Sequence, residues 1–196
     1  MVYKYRIKIL FAIIISILLI QILSTNIKNN REVLGLFFFD EQKQPMLTYE
    51  NNDFKFKINY PNNWEKSVKL NNEITFIAPK ERDATTSPAG LIVKVVSLQS
   101  KNVSIESIST ALISQLKKEH KDFKLESSSQ YVIDGRNGKQ LLFTATDNNL
   151  QNRKALQIIT MDKNNIFIIT YKASIDNYAK YENTIKDMIG SFKLLS

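Results

Sequence analysis

Phe54-Lys55-Phe56-Lys57-Ile58-Asn59-Tyr60-Pro61-Asn62-Asn63-Trp64 carries the strongest structural signal in the chain. Apolar and polar residues alternate one by one. Phe54, Phe56, Ile58 and Tyr60 therefore share one face, and Lys55, Lys57 and Asn59 the other. A period of two is that of a half-buried β-strand. Pro61-Asn62-Asn63 supplies the turn residues that end it. Trp64 follows and reads as a core plug, because an indole has a large apolar body to bury.

Downstream of this strand the pattern stays β-rich. Glu65–Leu70 is a more polar strand, Asn71-Asn72 a hairpin-type turn, and Glu73–Pro79, with Ile74, Phe76 and Ala78, a third strand. Lys80–Gly90 is charged and small and reads as a loop. Leu91–Leu98 is apolar on both faces, which predicts a central strand covered from both sides. Ser104 then caps a helix. Glu106 lies in its first turn, Ile105, Ile108, Leu112 and Leu116 form one stripe, and Lys117-Lys118 close it. Strands follow at Asp122–Ile133, Lys139–Asp147, Arg153–Met161 and Ile166–Lys172, separated by turns such as Asp134–Gly138 and Asp162–Asn165. A last helix spans Asp176–Phe192, with Tyr178, Tyr181, Ile185, Met188, Ile189 and Phe192 on its inner face. Short turns between consecutive strands make them antiparallel. The expectation is an α+β body over residues 49–196, with one antiparallel sheet and two main helices.

Upstream lies a different kind of sequence. Ile9–Leu23 is almost unbroken apolar residues, preceded by Lys4, Arg6 and Lys8. Counted from Ile7, with Lys8 snorkelling to the interface, the run reaches the ~17 residues that a membrane span needs. The basic cluster predicts a cytoplasmic N-terminus and an extracytoplasmic body. The exit, Gln21–Asn26, has no small-residue cleavage triplet, so residues 1–24 read as an uncleaved signal anchor, with a cleaved signal as the rival. Residues 25–48 read as a stalk around the apolar patch Val33–Phe39.

Composition narrows the chemistry. The 196 residues include no Cys, one His (His120) and one Trp, and 43% are hydrophobic. A packed core is expected, and a disulfide scaffold, thiolate metal sites and a Cys nucleophile are excluded. Twenty-seven Lys+Arg against 19 Asp+Glu give +8. Most of that charge is Lys, which lacks the planar fork used for bidentate phosphate recognition, so nucleic acid is not an expected partner.

The body resembles a PsbP-type domain. The motif Phe54-x-Phe56-x-Ile58-x-Tyr60-Pro61-x-x-Trp64, the turn Asp134-Gly135-Arg136-x-Gly138 before a strand, and the closing hairpin and helix with paired Tyr carry the likeness, over roughly Tyr49 to Leu195. The resemblance implies an α/β/α sandwich around an antiparallel sheet and a non-enzymatic role. Such roles range from extrinsic photosystem subunits to bacterial envelope lipoproteins and a Ran-binding adaptor. A membrane anchor in place of a transit peptide, and a lone His in Lys118-Glu119-His120-Lys121, depart from the plant pattern, so no metal site, cofactor or photosystem contact is carried over.

Candidate chemical residues are few. His120 at a helix end reads as a solvated cap, and Asp134 and Arg136 as turn chemistry. Asp134, Asn137 and Asp147 are too scattered for a calcium loop. Asn102-Val103-Ser104 is a glycosylation triplet whose Ser is also the cap. Lys80, Glu81, Arg82 and Asp83 are the expected partner-contact loop. The expected function is a membrane-anchored accessory or binding module with no catalytic residues, which meets lipid through the N-terminal helix and a protein through the body. The alternatives are a calcium- or manganese-dependent protein or enzyme using acidic loop residues, and an envelope protein that binds anionic polymer through Lys.

Overall fold

A computed structural model of the chain describes residues 44–69, 72–80, 87–99, 103–120, 122–147 and 151–195. The expected anchor, with Lys4, Arg6, Lys8, Ile9 and Leu23, and most of the expected stalk lie outside the described residues. Among the described residues no helix is long and apolar enough to cross a membrane.

The elements run β1 (Met46–Asn51), β2 (Phe56–Pro61), β3 (Glu65–Lys69), β4 (Glu73–Ile77), β5 (Gly90–Ser97), α1 (Ile105–Glu119), β6 (Lys124–Ile133), β7 (Arg136–Thr146), β8 (Asn152–Asp162), β9 (Asn165–Ser174), α2 (Glu182–Gly190) and β10 (Lys193–Leu194). Every strand pair is antiparallel, as the short turns require. The expectation of one sheet needs correcting, because the described residues form two. Seven strands form the main sheet in the order β3-β4-β5-β9-β8-β7-β6, and β1-β2-β10 form a small one. The break falls at Asn62-Asn63-Trp64. There β2 ends, and Trp64 is buried edge-on against Tyr181, 5.6 Å between ring centroids. β2 then takes β1 and the C-terminal β10 as neighbours instead of β3. Met46–Thr48, read above as the end of a stalk, form the first half of β1.

Two other boundaries differ for local reasons. β2 starts at Phe56 rather than Phe54, because the Phe54 N–H donates to Asn51 Oδ1 (2.8 Å) and Lys55 takes a positive φ in the turn. The last helix starts at Glu182 after a 3-10 turn at Ala179–Tyr181. Tyr171 Oη donates to the Tyr178 carbonyl (2.7 Å), which diverts an acceptor that an earlier helix start would use.

The main sheet has a core on each face. One is built where the small sheet and α2 pack on it. Phe56, Phe167 and Phe192 meet there at centroid distances of 5.6–5.9 Å. The other lies beneath α1, around Ile108, Leu141, Phe143, Ile159 and Ile168. Ser104 caps α1 by accepting from the Ser107 N–H (3.1 Å), as its sequence predicts. The β5–α1–β6 connection carries the chain from the middle of the sheet to its far edge, and α1 packs on β7 and β8. Among the described residues no helix covers the same face over β9, β5 and β4.

Candidate functional site

The uncovered part of that face is the floor of a cleft of about 790 Å³, with α1 as its wall. β5 makes the floor apolar. Leu91, Val93 and Val95 fill the core on one face, while Ile92 and Val96 point into the cleft on the other. The expectation that β5 is covered on both sides is therefore met on one side only. Opposite them, Leu112 and Leu116 of α1 are only half-buried, so part of the helix's apolar stripe faces open space.

Strand register sets the polar groups in the floor. Thr75, Ile92, Thr170 and Gln157 are successive partners across β4, β5, β9 and β8. Gln157 is 8% exposed. Its Nε2 donates to Thr170 Oγ1 (3.1 Å), whereas its Oε1 is buried with no hydrogen-bond partner. Thr75 Oγ1, in the same row, is also unpartnered. Buried polar atoms are nearly always satisfied, so an orphan in the floor of a cleft marks a place where another molecule can supply the missing bond.

One end of the cleft is charged. Arg153 is 5% exposed. It donates through Nη1 to the Ser87 carbonyl (2.8 Å) and through Nη2 to the Pro88 carbonyl (3.0 Å). Its Nε stands 3.9 Å from the Asp147 carboxylate. Burial pulls its pKa below the ordinary guanidinium value. Lys172 is an exposed residue, yet desolvation, and then the Arg153 charge, lower its pKa. Lys94, between Ile92 and Val96 on β5, stands opposite Glu73 on β4, and Glu73 is paired with Lys69 (3.2 Å). Among the described residues neither Lys94 nor Lys172 forms an ion pair.

His120 lines the same end as the C-cap of α1. Its Nδ1–H donates to the Thr146 carbonyl (2.8 Å), so the side chain read as solvated has a fixed partner. Asp134 and Gly135 form the β6–β7 turn with positive φ. The Asp134 carboxylate accepts from the Leu194 N–H (2.9 Å), Lys193 Nζ (3.0 Å) and Arg136 Nη1 (3.1 Å). The Leu194 bond, with Lys193 and Arg136 behind it, holds the Asp134 pKa below the usual carboxylate range. Asp134 and Asp147 adjoin opposite ends of β7 and do not meet. Among the described residues no group of three or more His, Asp or Glu is placed to hold a metal ion. Of the expected contact loop, Lys80 is exposed, and Glu81, Arg82 and Asp83 lie outside the described residues. The loop's stems are tied by the Ala78 N–H to the Ala89 carbonyl (2.9 Å) and by Arg153. Sequence reading missed Gln157 and Lys172; the two-faced apolarity of β5 was the available signal.

The family model described as PsbP matches residues 44–194, which takes in every strand described above. The chain belongs to the PsbP family. Solved structures with the PsbP-like fold agree. Cyanobacterial PsbP (CyanoP) from Synechocystis is 15% identical with a TM-score of 0.59, over 76% of this chain and 92% of its own. LpqN of Mycobacterium tuberculosis, involved in cell envelope biogenesis, is 11% identical with a TM-score of 0.61, over 78% and 91%. The Ran-binding protein Mog1p of Saccharomyces cerevisiae is 8% identical with a TM-score of 0.56, over 79% and 97%. At these identities the likeness is one of fold. No curated protein matches the chain by sequence.

Proposed function

We propose that this PsbP-family protein is a non-catalytic binding module, held at a membrane by its N-terminal segment with the body on the extracytoplasmic side, and that it serves a membrane complex or envelope component. The observation that carries the reading is the open cleft between α1 and the main sheet, with an apolar floor and an unsatisfied carboxamide. Concave, mostly apolar sites with a few convergent polar groups are the usual form of a ligand site. Three of the side chains singled out from the sequence as candidates for chemistry are committed to structure. The His120 imidazole bonds the Thr146 carbonyl, Asp134 holds the C-terminal strand, and Asp147 faces Arg153. The leader, with Lys4, Arg6 and Lys8 before Ile9–Leu23, supports the tether. The fold likeness to LpqN, which is involved in cell envelope biogenesis, suits an envelope role.

The test uses the full chain in its native membrane. Protease added outside the sealed membrane should digest the body, and the chain should resist carbonate extraction. A photocrosslinker at Gln115, on the cleft rim, should give adducts that one at Val132, on the far edge strand, does not. Protection of the body until lysis, or identical adducts from both positions, would refute the reading.

A further inference from the structure

We infer that the cleft binds a single-chain amphiphile of the lysophospholipid type, with its alkyl tail along α1, a hydroxyl donating to Gln157 and an anionic head at Lys172. The inference rests on the binding-module reading and names the ligand class of that same cleft. The tail follows from size and polarity. The volume, about 790 Å³, falls within the ~300–1,000 Å³ of small-molecule sites. α1 has 15 residues and is therefore about 22 Å long, enough to lie beside one extended alkyl chain. Away from Lys172 the cleft is lined by Val96, Val103, Ile166 and Ile168, with the Lys94 side chain entering beside Ile168 from the neighbouring strand.

The hydroxyl follows from Gln157. A floor that only had to pack would carry an apolar residue there, as it does at the neighbouring Ala155 and Ile159. Instead it carries a buried carboxamide with one end bonded to Thr170 and the Oε1 end unanswered. A purely aliphatic ligand would leave that acceptor unanswered too, whereas a hydroxyl beside the alkyl chain satisfies it. The anion follows from charge. Arg153 is committed to the Ser87 and Pro88 carbonyls and Glu73 to Lys69, which leaves Lys172 and Lys94 with charge to offer, and of the two it is Lys172 that shares β9 with Thr170, the partner of Gln157. Strand alternation puts Lys172 on the same face as Thr170, about 7 Å along β9, so donor and anion must be adjacent in the ligand. An anionic head would also offset the desolvation that lowers the Lys172 pKa.

The experiment photolabels the full chain in amphipol with palmitoyl lysophosphatidic acid bearing a diazirine on its tail. The unlabelled competitors are the parent lipid, monopalmitoylglycerol and the 2-O-methyl analogue. Label should appear on α1 and β9. The parent should compete about tenfold better than either analogue, the effect of one charge-assisted or one buried hydrogen bond. Lys172→Gln should abolish the advantage over monopalmitoylglycerol, and Gln157→Leu the advantage over the 2-O-methyl lipid. Ala111→Trp, at an exposed position on the cleft wall, should remove labelling without touching the sheet. Equal competition by all three lipids, label confined to the N-terminal segment, or a charge preference that survives Lys172→Gln would overturn the inference. If labelling fails while Gln115 adducts still form in the native membrane, the amphiphile is wrong and the binding module stands.

Discussion

Gly138 shows how one residue can be fixed by a neighbour far along the chain. It lies in β7 opposite Thr160, and a Cβ built on it would stand 2.3 Å from the Ile159 carbonyl oxygen. Backbone cannot yield as a side chain tip can, so Gly138→Ala must displace β8. We expect a loss of about 1–3 kcal/mol, the usual cost of overpacking, read by urea denaturation. Gly190, with nothing within 4 Å of such a Cβ, is the control and should accept Ala without loss. From sequence, Gly138 looked like one of two turn glycines. Only Gly135 is in the turn, with φ 73°. The requirement at 138 is made by the close approach of another strand, which no local pattern records. Gln157 was illegible for the same reason. Its sequence neighbours mark a strand, while its orphaned oxygen depends on what α1 leaves uncovered.

Between elements, Asp134 joins the β6–β7 hairpin to β10. Its lowered pKa fixes the sign of the pH dependence. A carboxylate held below its unfolded value, about 3.9, stabilises the native state above that pH and loses the contribution as pH falls through the lowered value. Asp134→Asn keeps the side-chain type that tolerates positive φ but removes the charge. It should cost on the order of 1 kcal/mol at pH 7, a figure reduced for partial solvent access, and less at pH 3, below the unfolded carboxyl value. Denaturant midpoints at the two pH values check this; a gap unchanged at pH 3 would mean that the charge is not what joins the elements. Element types were mostly legible. The α1 boundaries follow from Ser104 and the spacing of Ile105, Ile108, Leu112 and Leu116. The two apolar faces of β5 were legible as well. What they did not reveal is that α1 reaches across to β7 and β8 and, among the described residues, leaves the same face of β9, β5 and β4 without a helix, a result of strand order rather than of any strand's composition.

At the scale of the molecule, β-rich antiparallel architecture was readable from alternation and short turns, and the family from the Tyr60-Pro61-x-x-Trp64 motif. The division into two sheets was not, because it depends on β2 choosing β1 and β10 over β3, and β10 is only two residues long. The contacts imply that residues 44–196 hold their own core. That fragment should be soluble and melt in one cooperative step by circular dichroism, and a broad, uncooperative melt would show that the first 43 residues are needed for the fold.

The pairing of β10 with β2 also orders events in time. Lys193 and Leu194 complete a sheet whose other strands are made near the start of the body, and the Leu195 N–H closes it on the Lys55 carbonyl (2.7 Å). Until Lys193 and Leu194 have been made the small sheet is one strand short, and any factor that handles the nascent protein before then meets Phe56 without Phe192 to shield it.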